Sequence, residues 1–293
     1  MDLGKLETFL AIIEEQTITE AARRLHLTQP AVSAQLAKLE EEVGQRLFDR
    51  IPTGMVLTAA GEIFEIYVRE ALSSLNDGRR ALDEMIGLSK GSLAVGGGAT
   101  ATTYLLPPVL GRFHSAHPGI RFFVREQSSQ QSVADVIAGE LDLAIVTLPL
   151  GDGESPGSQK LEVLPWVEDE MRLLVPPGHK LSRQRDFRWK ELDGVPLVLF
   201  EAGSAVRTII DQRLKEAQIE VELVMELRAI ESIKQMVAQG IGAGFVSQFA
   251  LGGSEKGLRC IDDPIRRELA IIYRRDRTLS PAATSFLALL SER

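Results

Sequence analysis

The sequence predicts a protein of mixed class, with an all-α N-terminal region, one long helix and a larger α/β region. Residues 17–42 have the pattern of two short helices joined by a tight turn. Residues 59–89 contain no proline and carry apolar residues at heptad spacing, which is typical of a long amphipathic helix. From residue 91 onward, strand and helix patterns alternate, and this order indicates a largely parallel sheet covered by helices.

The two N-terminal helices have the form of a helix-turn-helix. The apolar positions of the first helix are Ile18, Ala21, Ala22 and Leu25. Arg23 and Arg24 therefore face away from this apolar side. We expect Thr28 to cap the second helix and Pro30 to lie in its first turn, where a missing backbone N–H is tolerated.

The second helix has a small and polar face opposite an apolar stripe. The stripe consists of Val32, Leu36, Leu39 and Val43. The opposite side contains Gln29, Pro30, Ser33, Ala34, Ala37 and Lys38. Gln29 suits an adenine edge, Ser33 suits a base or a phosphate, and Lys38 suits a phosphate. We interpret this helix as one that enters the DNA major groove, with plain helix packing as the alternative.

The segment after the second helix has the pattern of a β-hairpin. Pro52 and Gly54 mark a turn, and residues 55–58 could form a short strand. Such a hairpin, called a wing, would lay Arg50 and the Thr53 hydroxyl along the phosphate backbone. A wing beside a recognition helix strengthens the DNA-binding interpretation.

Residues 1–90 are acidic overall, with 10 Lys and Arg against 15 Asp and Glu. DNA binding must then depend on a local basic face. This face would contain Arg23, Arg24, Lys38 and Arg50, with Glu40, Glu41 and Glu42 turned away from the phosphates. The affinity of a dimer for DNA should fall steeply with added salt.

The long helix predicts dimerisation through a heptad seam. The seam positions are Phe64, Val68, Ala71, Leu75, Leu82 and Met85. Gly78 occupies the remaining seam position and weakens the helix by about 1 kcal/mol relative to alanine. An amphipathic helix packed against its own domain would show the same pattern, so the residues alone leave both arrangements open.

Three segments, LETFLAIIEE, AARRLHLTQPAVSAQLAKLEEEVGQRLFDR and VLTAAG, together resemble the LysR-type transcriptional regulators, and the resemblance covers the whole chain. It implies a winged helix-turn-helix domain (residues 1–58), a dimerising linker helix (59–90) and an effector-binding regulatory domain (91–293). The regulatory domain would be an α/β domain of two Rossmann-like subdomains, similar to type II periplasmic binding proteins. The implied division is lobe 1 at about 91–162 and 268–293, and lobe 2 at about 163–267.

The resemblance also implies which residues contact DNA. The base and phosphate contacts would fall on Gln29, Pro30, Ser33 and Lys38, with Arg50 in the wing. Two positions depart from a common pattern of the family: Ala34 stands where many members have a basic residue, and Thr53 stands where a wing arginine is frequent. We therefore expect a modest affinity for each half-site.

The regulatory region predicts two β-α-β blocks. The predicted strands are residues 92–96, 121–126, 141–146, 171–175, 197–200, 220–226, 244–246 and 269–273. The predicted helices are residues 105–114, 132–138, 205–217, 230–239 and 281–291. Because ligands bind beyond the carboxyl ends of strands in such sheets, we expect a small effector in a cleft between the lobes.

By resemblance, the effector site would be lined by Thr100, Thr102, Ser128, Thr147, Ser204 and Phe245. Hydroxyl groups beside helix N-termini suit a small anion such as a carboxylate, sulfate or phosphate. Arg125 and Arg207 are the nearest arginines in sequence, but no arginine stands in these strand-end segments as an obvious bidentate clamp. For each Thr or Ser, ordinary helix capping is the alternative role.

Other chemistries have little support in the sequence. Cys260 is the single cysteine and cannot form an internal disulfide, and the four histidines are scattered. We expect no metal, no cofactor and no catalytic group. The N-terminus lacks an export pattern and no run reaches about 18 apolar residues, so we expect a cytoplasmic protein that does not enter a membrane.

The sequence therefore predicts a ligand-responsive DNA-binding transcriptional regulator in which the effector changes promoter binding or bending. The expected partners are double-stranded DNA, a small anionic effector, a second copy in a homodimer, further copies in a homotetramer, and RNA polymerase. The homotetramer is implied by the resemblance alone. The alternative is a solute-binding or enzymatic protein whose N-terminal helices serve only for assembly.

Overall fold

The computed structural model describes residues 1–84, 91–150, 158–253 and 255–292. The chain divides into two compact units, made mainly of residues 1–82 and of residues 83–293. The first unit is helical with one small hairpin, and the second is built around an eight-stranded sheet. The predicted mixed class, with helices first and an α/β region after them, is confirmed.

The first unit contains the predicted helix-turn-helix and wing. Its elements are α1 (Leu3–Glu15), α2 (Ile18–Arg24), α3 (Gln29–Val43), β1 (Phe48–Ile51), β2 (Gly54–Leu57) and α4 (Ala59–Glu84). The Thr17 hydroxyl caps α2 by accepting from the Glu20 N–H at 3.2 Å. Thr28 caps α3 as predicted, accepting from the Ala31 N–H at 3.4 Å. Gly44 ends α3 with φ of +73°, a conformation that glycine adopts without strain.

Three aromatic rings join the elements of the first unit. The Phe9 ring of α1 lies 5.3 Å from Phe48 of β1 and 5.4 Å from Phe64 of α4, measured between centroids. The buried apolar residues of α2 and α3 complete this core: Ile18, Ala21, Ala22, Val32, Leu36 and Leu39. The predicted apolar stripes of both helices are thus confirmed, and α3 has one polar face left for a partner.

One side of the first half of α4 belongs to the core of its own unit. Val68 is buried, and Phe64 and Leu72 pack half-buried against the same cluster. The predicted dimer seam is therefore wrong for Val68, because the core of the same chain already covers it, while Phe64 is only partly covered by that core. Leu75 is 55% exposed, while the Leu82 side chain and Met85 lie outside the described residues.

The second unit follows the predicted alternation of strands and helices. Its strands are β3 (Gly91–Gly97), β4 (Ile120–Glu126), β5 (Leu143–Thr147), β6 (Leu161–Leu174), β7 (Asp186–Phe187), β8 (Pro196–Phe200), β9 (Glu222–Leu227), β10 (Ala243–Ser247), β11 (Arg259–Cys260) and β12 (Arg266–Arg274). Its helices are α5 (Leu106–Ala116), α6 (Ser129–Ala138), α7 (Ala205–Glu216), α8 (Ile230–Ala238) and α9 (Pro281–Ser291). A π-helical turn, Ala101–Leu105, leads directly into α5.

The large sheet has the order β4-β3-β5-β12-β6-β10-β8-β9. Parallel pairs lie at both ends, and β12 and β6 form antiparallel pairs in the middle. The sequence pattern predicted only the end of β6, because Pro165 and the acidic run of residues 168–170 interrupt the strand pattern of the preceding residues. Residues 161–170 pair with β12, and residues 171–174 pair with β10. β6 and β12 therefore run from one half of the sheet into the other.

Each half of the sheet has its own core, and we call the halves lobe 1 (β3, β4, β5 and their helices) and lobe 2 (β8, β9, β10 and theirs). In lobe 1 the Phe286 ring of α9 packs edge-on to Phe113 of α5, with 5.3 Å between centroids. In lobe 2 the central aromatic residues are Phe187, Trp189 and Phe245. Two separate cores connected by strands are the architecture of a two-lobed ligand-binding domain.

Candidate DNA-binding face and effector site

The side of α3 opposite its apolar stripe presents a polar face to solvent. Gln29, Pro30 and Lys38 are exposed, and Ser33 is half-buried. We call these four residues the recognition face. The apolar side of the same helix is buried in the core, so the face cannot turn inward without exposing that side. All four predicted contact residues of α3 thus lie on an accessible helix surface.

A partly buried hydrogen bond fixes α3 against α1. The Thr8 hydroxyl, which is 1% exposed, donates to the side-chain oxygen of Gln35. Gln35 lies two residues beyond Ser33, so this bond holds the rotation of α3 about its axis. The sequence analysis did not find this pair, because Thr8 lies on a different helix.

The two arginines of α2 are paired with carboxylates of the same unit. Arg23 lies 2.5 Å from Glu20, and Arg24 forms ion pairs with Glu14 and with Glu15, the latter at 3.2 Å. Both arginines remain exposed, as predicted, but their charge is already compensated. We expect them to contribute less to phosphate binding than unpaired basic residues.

Within the described residues, positive charge without an ion-pair partner lies instead on the recognition face, just after α3 and in the wing. Within the described part of the chain, Lys38, Arg46 and Arg50 are exposed and form no ion pair. Arg46 was missed by the sequence analysis. It follows α3, and its backbone carbonyl accepts a hydrogen bond from the Thr58 hydroxyl at 2.7 Å, which fixes the path from α3 into the wing.

Two of the three consecutive glutamates at the end of α3 bind groups within the protein. The Glu40 carboxylate accepts from the backbone N–H groups of Leu47 at 2.7 Å and of Phe48 at 3.3 Å. Glu42 lies 2.5 Å from the Lys5 ammonium, and this hydrogen bond lowers the pKa of the Glu42 carboxyl. Glu40 and Glu42 are thus engaged within the unit, and Glu40 positions the wing.

The wing is a two-stranded hairpin with Arg50 opposite Met55. Arg50 and Thr53 are exposed, as a phosphate-contacting role requires. The Gln16 carbonyl at the end of α1 accepts from the Met55 N–H at 2.7 Å and anchors the hairpin. The wing is therefore held at both strands, through Glu40 and through Gln16.

The side of α4 that faces away from the core carries large apolar residues. Ile63, Ile66 and Tyr67 are exposed, with 62%, 41% and 65% of their surfaces accessible. Exposed apolar side chains of this size on one helix are typical of a protein contact. We call these three residues the α4 face.

In lobe 1 the predicted effector residues Thr100 and Thr102 stand at the start of the helix after β3. Thr100 is 5% exposed, and its hydroxyl accepts from the Arg267 Nη2 at 2.7 Å. The Thr102 hydroxyl lies 3.0 Å from the Glu126 carboxylate, to which it donates. Thr100 thus lies beside a cation, which favours an anionic ligand. Thr102 lies beside an anion, which disfavours one.

The segment after β4 contacts the end of β5 through Ser129, whereas the predicted effector residue Ser128 caps a helix. The Ser128 hydroxyl caps α6, accepting from the Gln131 N–H at 3.2 Å. The Ser129 hydroxyl accepts from the Thr147 backbone N–H at 3.0 Å. Ser128 therefore has the capping role that was its alternative, and its neighbour joins the two strand ends.

In lobe 2 the two predicted effector residues have structural roles. The Ser204 hydroxyl caps α7, accepting from the Arg207 N–H at 3.2 Å. Phe245 is 1% exposed, and its ring centroid lies 5.7 Å from that of Trp189 in the core of lobe 2. The prediction that the Phe245 side chain lines the effector site is wrong, because the ring points into this core.

The arginines nearest to the site in sequence are held by other groups. Arg125 pairs with Asp135 at 3.3 Å. Arg207 pairs with Asp211 at 2.8 Å and donates to the Phe200 carbonyl at 2.7 Å. The arginine that does reach the start of the lobe 1 helix is Arg267 of β12, which lies 167 positions away from Thr100 in the chain.

A second contact between the lobes involves Tyr104 of the π-helical turn. Its hydroxyl donates to the Glu231 carboxylate of α8 at 2.5 Å. Lys234 bonds to the same carboxylate at 3.1 Å. Partial burial and the hydrogen bond to Glu231 raise the pKa of Tyr104 above its usual range, so the hydroxyl keeps its proton. The contact joins lobe 1 to lobe 2, and Tyr104 also packs against the core of lobe 2.

Within the described residues, no three His, Cys, Asp or Glu side chains are grouped so as to hold a metal ion. Across the same ranges, every helix is too short or too polar to cross a membrane.

Comparison with known proteins places both units in one family. Residues 3–62 match the bacterial regulatory helix-turn-helix protein, lysR family, and residues 87–293 match the LysR substrate binding domain. A probable RuBisCO transcriptional regulator of Trichormus variabilis is 34% identical over 97% of this chain and 86% of its own length.

Two solved structures share the fold at lower identity. The crystal structure of full-length CbnR complexed with its target DNA is 21% identical, covers 99% of both chains and has a TM-score of 0.67. The regulatory domain of Synechocystis CcmR in complex with 2-PG is 24% identical, with a TM-score of 0.61, over 69% of this chain and 96% of the other.

Proposed function

Because the chain belongs to the LysR family of ligand-responsive, DNA-binding transcriptional regulators, we propose that the recognition face reads base edges in the major groove. The single observation that carries this proposal is the accessible polar face of α3, capped by Thr28 and fixed in rotation by the Thr8 to Gln35 bond. Gln29 and Ser33 would contact bases. Lys38, Arg50 and Thr53 would contact phosphates, with Arg46 as a further candidate.

The test uses the full chain and the DNA upstream of its own gene. Gln29→Ala and Ser33→Ala should each weaken specific binding by about 1–3 kcal/mol and leave binding to unrelated DNA unchanged. Lys38→Ala should weaken binding to both DNAs alike and reduce the slope of log K against log salt by about 1 per subunit. Arg112→Ala, which replaces an exposed arginine of the second unit that pairs with Glu292, is the matched control.

Two outcomes of this experiment would contradict the assignment. Unchanged binding after both Gln29 and Ser33 are replaced would remove these residues from the reading surface. A flat dependence of log K on log salt would remove Lys38 and its basic neighbours from the phosphate contacts.

We infer that the effector is a small anion bound at the carboxyl ends of the lobe 1 strands, between the lobes. Support comes from Thr100 at a helix start beside the Arg267 guanidinium, and from Thr147 next to the same strand ends. The 2-PG complex of the CcmR regulatory domain, which shares this fold, makes 2-PG the first compound to test. Binding of neutral or aromatic compounds alone would contradict the anion class.

The assembly that fits this function is a homodimer through the α4 face, with homotetramers formed by dimers. The linker helix α4 carries the exposed apolar surface for this contact, namely Ile63, Ile66 and Tyr67. In this proposal the DNA-binding domain ends at residue 58, and the linker helix ends at residue 90, where the regulatory domain follows. A dimer would place two recognition faces at two half-sites, and contact with RNA polymerase would follow at the promoter.

The RuBisCO genes of the host are the first targets to test, since the relatives named as probable RuBisCO transcriptional regulators align with almost the whole chain. We infer that the protein acts on DNA in the cytoplasm and regulates transcription without an enzymatic activity of its own. Loss of regulation of these genes on deletion, restored by the wild-type chain and not by Gln29→Ala, is the expected result.

A further inference from the structure

A buried cluster of charged and polar side chains lies where the two lobes meet. Arg267 Nε donates to Asp169 Oδ2 at 2.8 Å, and Arg267 Nη2 donates to Thr100 Oγ1 at 2.7 Å. The Ser247 hydroxyl donates to the other Asp169 oxygen at 2.8 Å. Asp169 and Ser247 are fully buried, and Thr100 and Arg267 are 5% and 7% exposed.

The strand register explains why these residues meet. Arg267 of β12 pairs directly with Asp169 of β6, on the two strands that pass from one lobe to the other. Ser247 comes from the end of β10 in lobe 2, and Thr100 comes from the helix start in lobe 1. The guanidinium is therefore held at the junction of the lobes, against the first turn of a helix.

The protein occupies only some of the hydrogen-bond donors of the Arg267 guanidinium. It has five N–H donors, and its Nη1 group forms no hydrogen bond within the described residues. Arg267 as a whole keeps 7% of its surface accessible to solvent. Because Thr100 Oγ1 accepts from Arg267, the hydroxyl proton of Thr100 is free to be donated to a third group.

We propose that Arg267 is the anion-binding residue of the effector site, and that Asp169 sets how strongly it binds. An anion at the start of the lobe 1 helix would accept from Arg267 Nη1, from the Thr100 hydroxyl and from the N–H groups of the first turn. Asp169 offsets the charge of the guanidinium and fixes its plane. This inference rests on the proposed effector role and assigns that role to a residue from β12.

The opposite effects of two substitutions distinguish ligand binding from a purely structural ion pair. Arg267→Gln removes the charge that attracts the anion, whereas Asp169→Asn removes the charge that competes with it. We expect Arg267→Gln to weaken binding about tenfold or more, and Asp169→Asn to strengthen it. A structural pair would instead lose binding and thermal stability in both variants.

The experiment is calorimetric titration of the full chain with inorganic phosphate, sulfate and 2-PG, with thermal unfolding of each variant. The matched controls are Arg274→Gln and Asp276→Asn, because Arg274 is a buried arginine of the same strand that pairs with Asp276 at 2.5 Å. These controls should leave anion binding unchanged. The double variant Arg267→Gln with Asp169→Asn leaves no unpaired buried charge, should fold, and should bind like Arg267→Gln.

The outcomes separate the two levels of the proposal. If the wild type binds none of the three anions, the proposed effector class fails and this assignment fails with it. If the wild type binds and the folded Arg267→Gln or double variant binds equally well, only the assignment to Arg267 fails. Weaker binding in the folded Asp169→Asn variant would also overturn it.

Discussion

At the scale of single residues, the neighbours of a side chain decide its role. Arg23 and Arg50 look equivalent in the sequence as exposed basic residues of a DNA-binding unit. In the structure Arg23 pairs with Glu20, while Arg50 forms no ion pair within the described ranges. Pattern analysis found both residues but could not rank them, because the carboxylate that compensates Arg23 is identified only by side-chain geometry.

Cys260 is predicted to be unreactive in the folded chain. Burial raises the pKa of its thiol from 9.0 to about 11, and the hydrogen bond to Asp262 acts in the same direction. Labelling by a disulfide reagent at pH 8 should be at least about 100-fold slower than in denaturant, from the thiolate fraction alone. As the single cysteine, Cys260 in the denatured chain serves as its own control.

The same shift predicts a dependence of stability on pH. The folded pKa of Cys260 is higher than the unfolded one, so its contribution to stability is complete below about pH 9 and is lost as pH rises towards 11. Cys260→Ser should reduce the loss of unfolding free energy over this window. Rapid labelling of the native chain at pH 8 would show instead that the thiol is accessible and ionised.

At the scale of elements, the wing depends on a glycine that the sequence analysis identified only as part of a turn. Gly54 has φ of +147°, and a side chain there would overlap the Gln16 carbonyl oxygen. That oxygen accepts the hydrogen bond from Met55 that anchors the hairpin. The position therefore requires glycine for conformation and for space together.

We predict that Gly54→Ala destabilises the first unit by about 1–3 kcal/mol and weakens DNA binding by displacing the wing. Gly78→Ala in α4 is the matched control, since Gly78 lies in a helix with open space around it. This control should raise stability by about 1 kcal/mol. Denaturant unfolding of both variants checks the prediction, and equal stability of the two would contradict it.

At the scale of the whole molecule, the linker helix α4 shows that a sequence pattern can predict a helix without predicting what the helix packs against. The heptad spacing correctly predicted a long helix. In the structure, Val68 is buried in the core of the same chain and Phe64 packs against that core. Ile63, Ile66 and Tyr67 are exposed and lie offset around the helix from the predicted seam, and the seam residue Leu75 is exposed as well. A period of 3.5 residues predicts an apolar stripe along a helix, but it does not predict which surface covers that stripe.

We predict that Ile66→Glu and Tyr67→Glu each convert the proposed dimer to monomers, because a carboxylate on the α4 face would be buried in the proposed interface without a partner. Sedimentation analysis should show half the mass, and the affinity for paired half-sites should fall with it. Ile261→Glu, at an exposed apolar position of lobe 2, is the control and should leave the mass unchanged. An unchanged mass in both α4 variants would contradict dimerisation through this face.

The sequence by itself determined the helix-turn-helix, its Thr28 cap, the wing and the order of strands and helices, because each depends on residues close together in the chain. Only the tertiary structure decided that Phe245 belongs to a core and that Ser129 joins Thr147. It also brought Arg267 to Thr100, 167 positions apart, through the pairing of β12 with β6. Periodicity and capping are local, whereas the partners of a charge depend on which strands become neighbours, and that is settled only when the sheet forms.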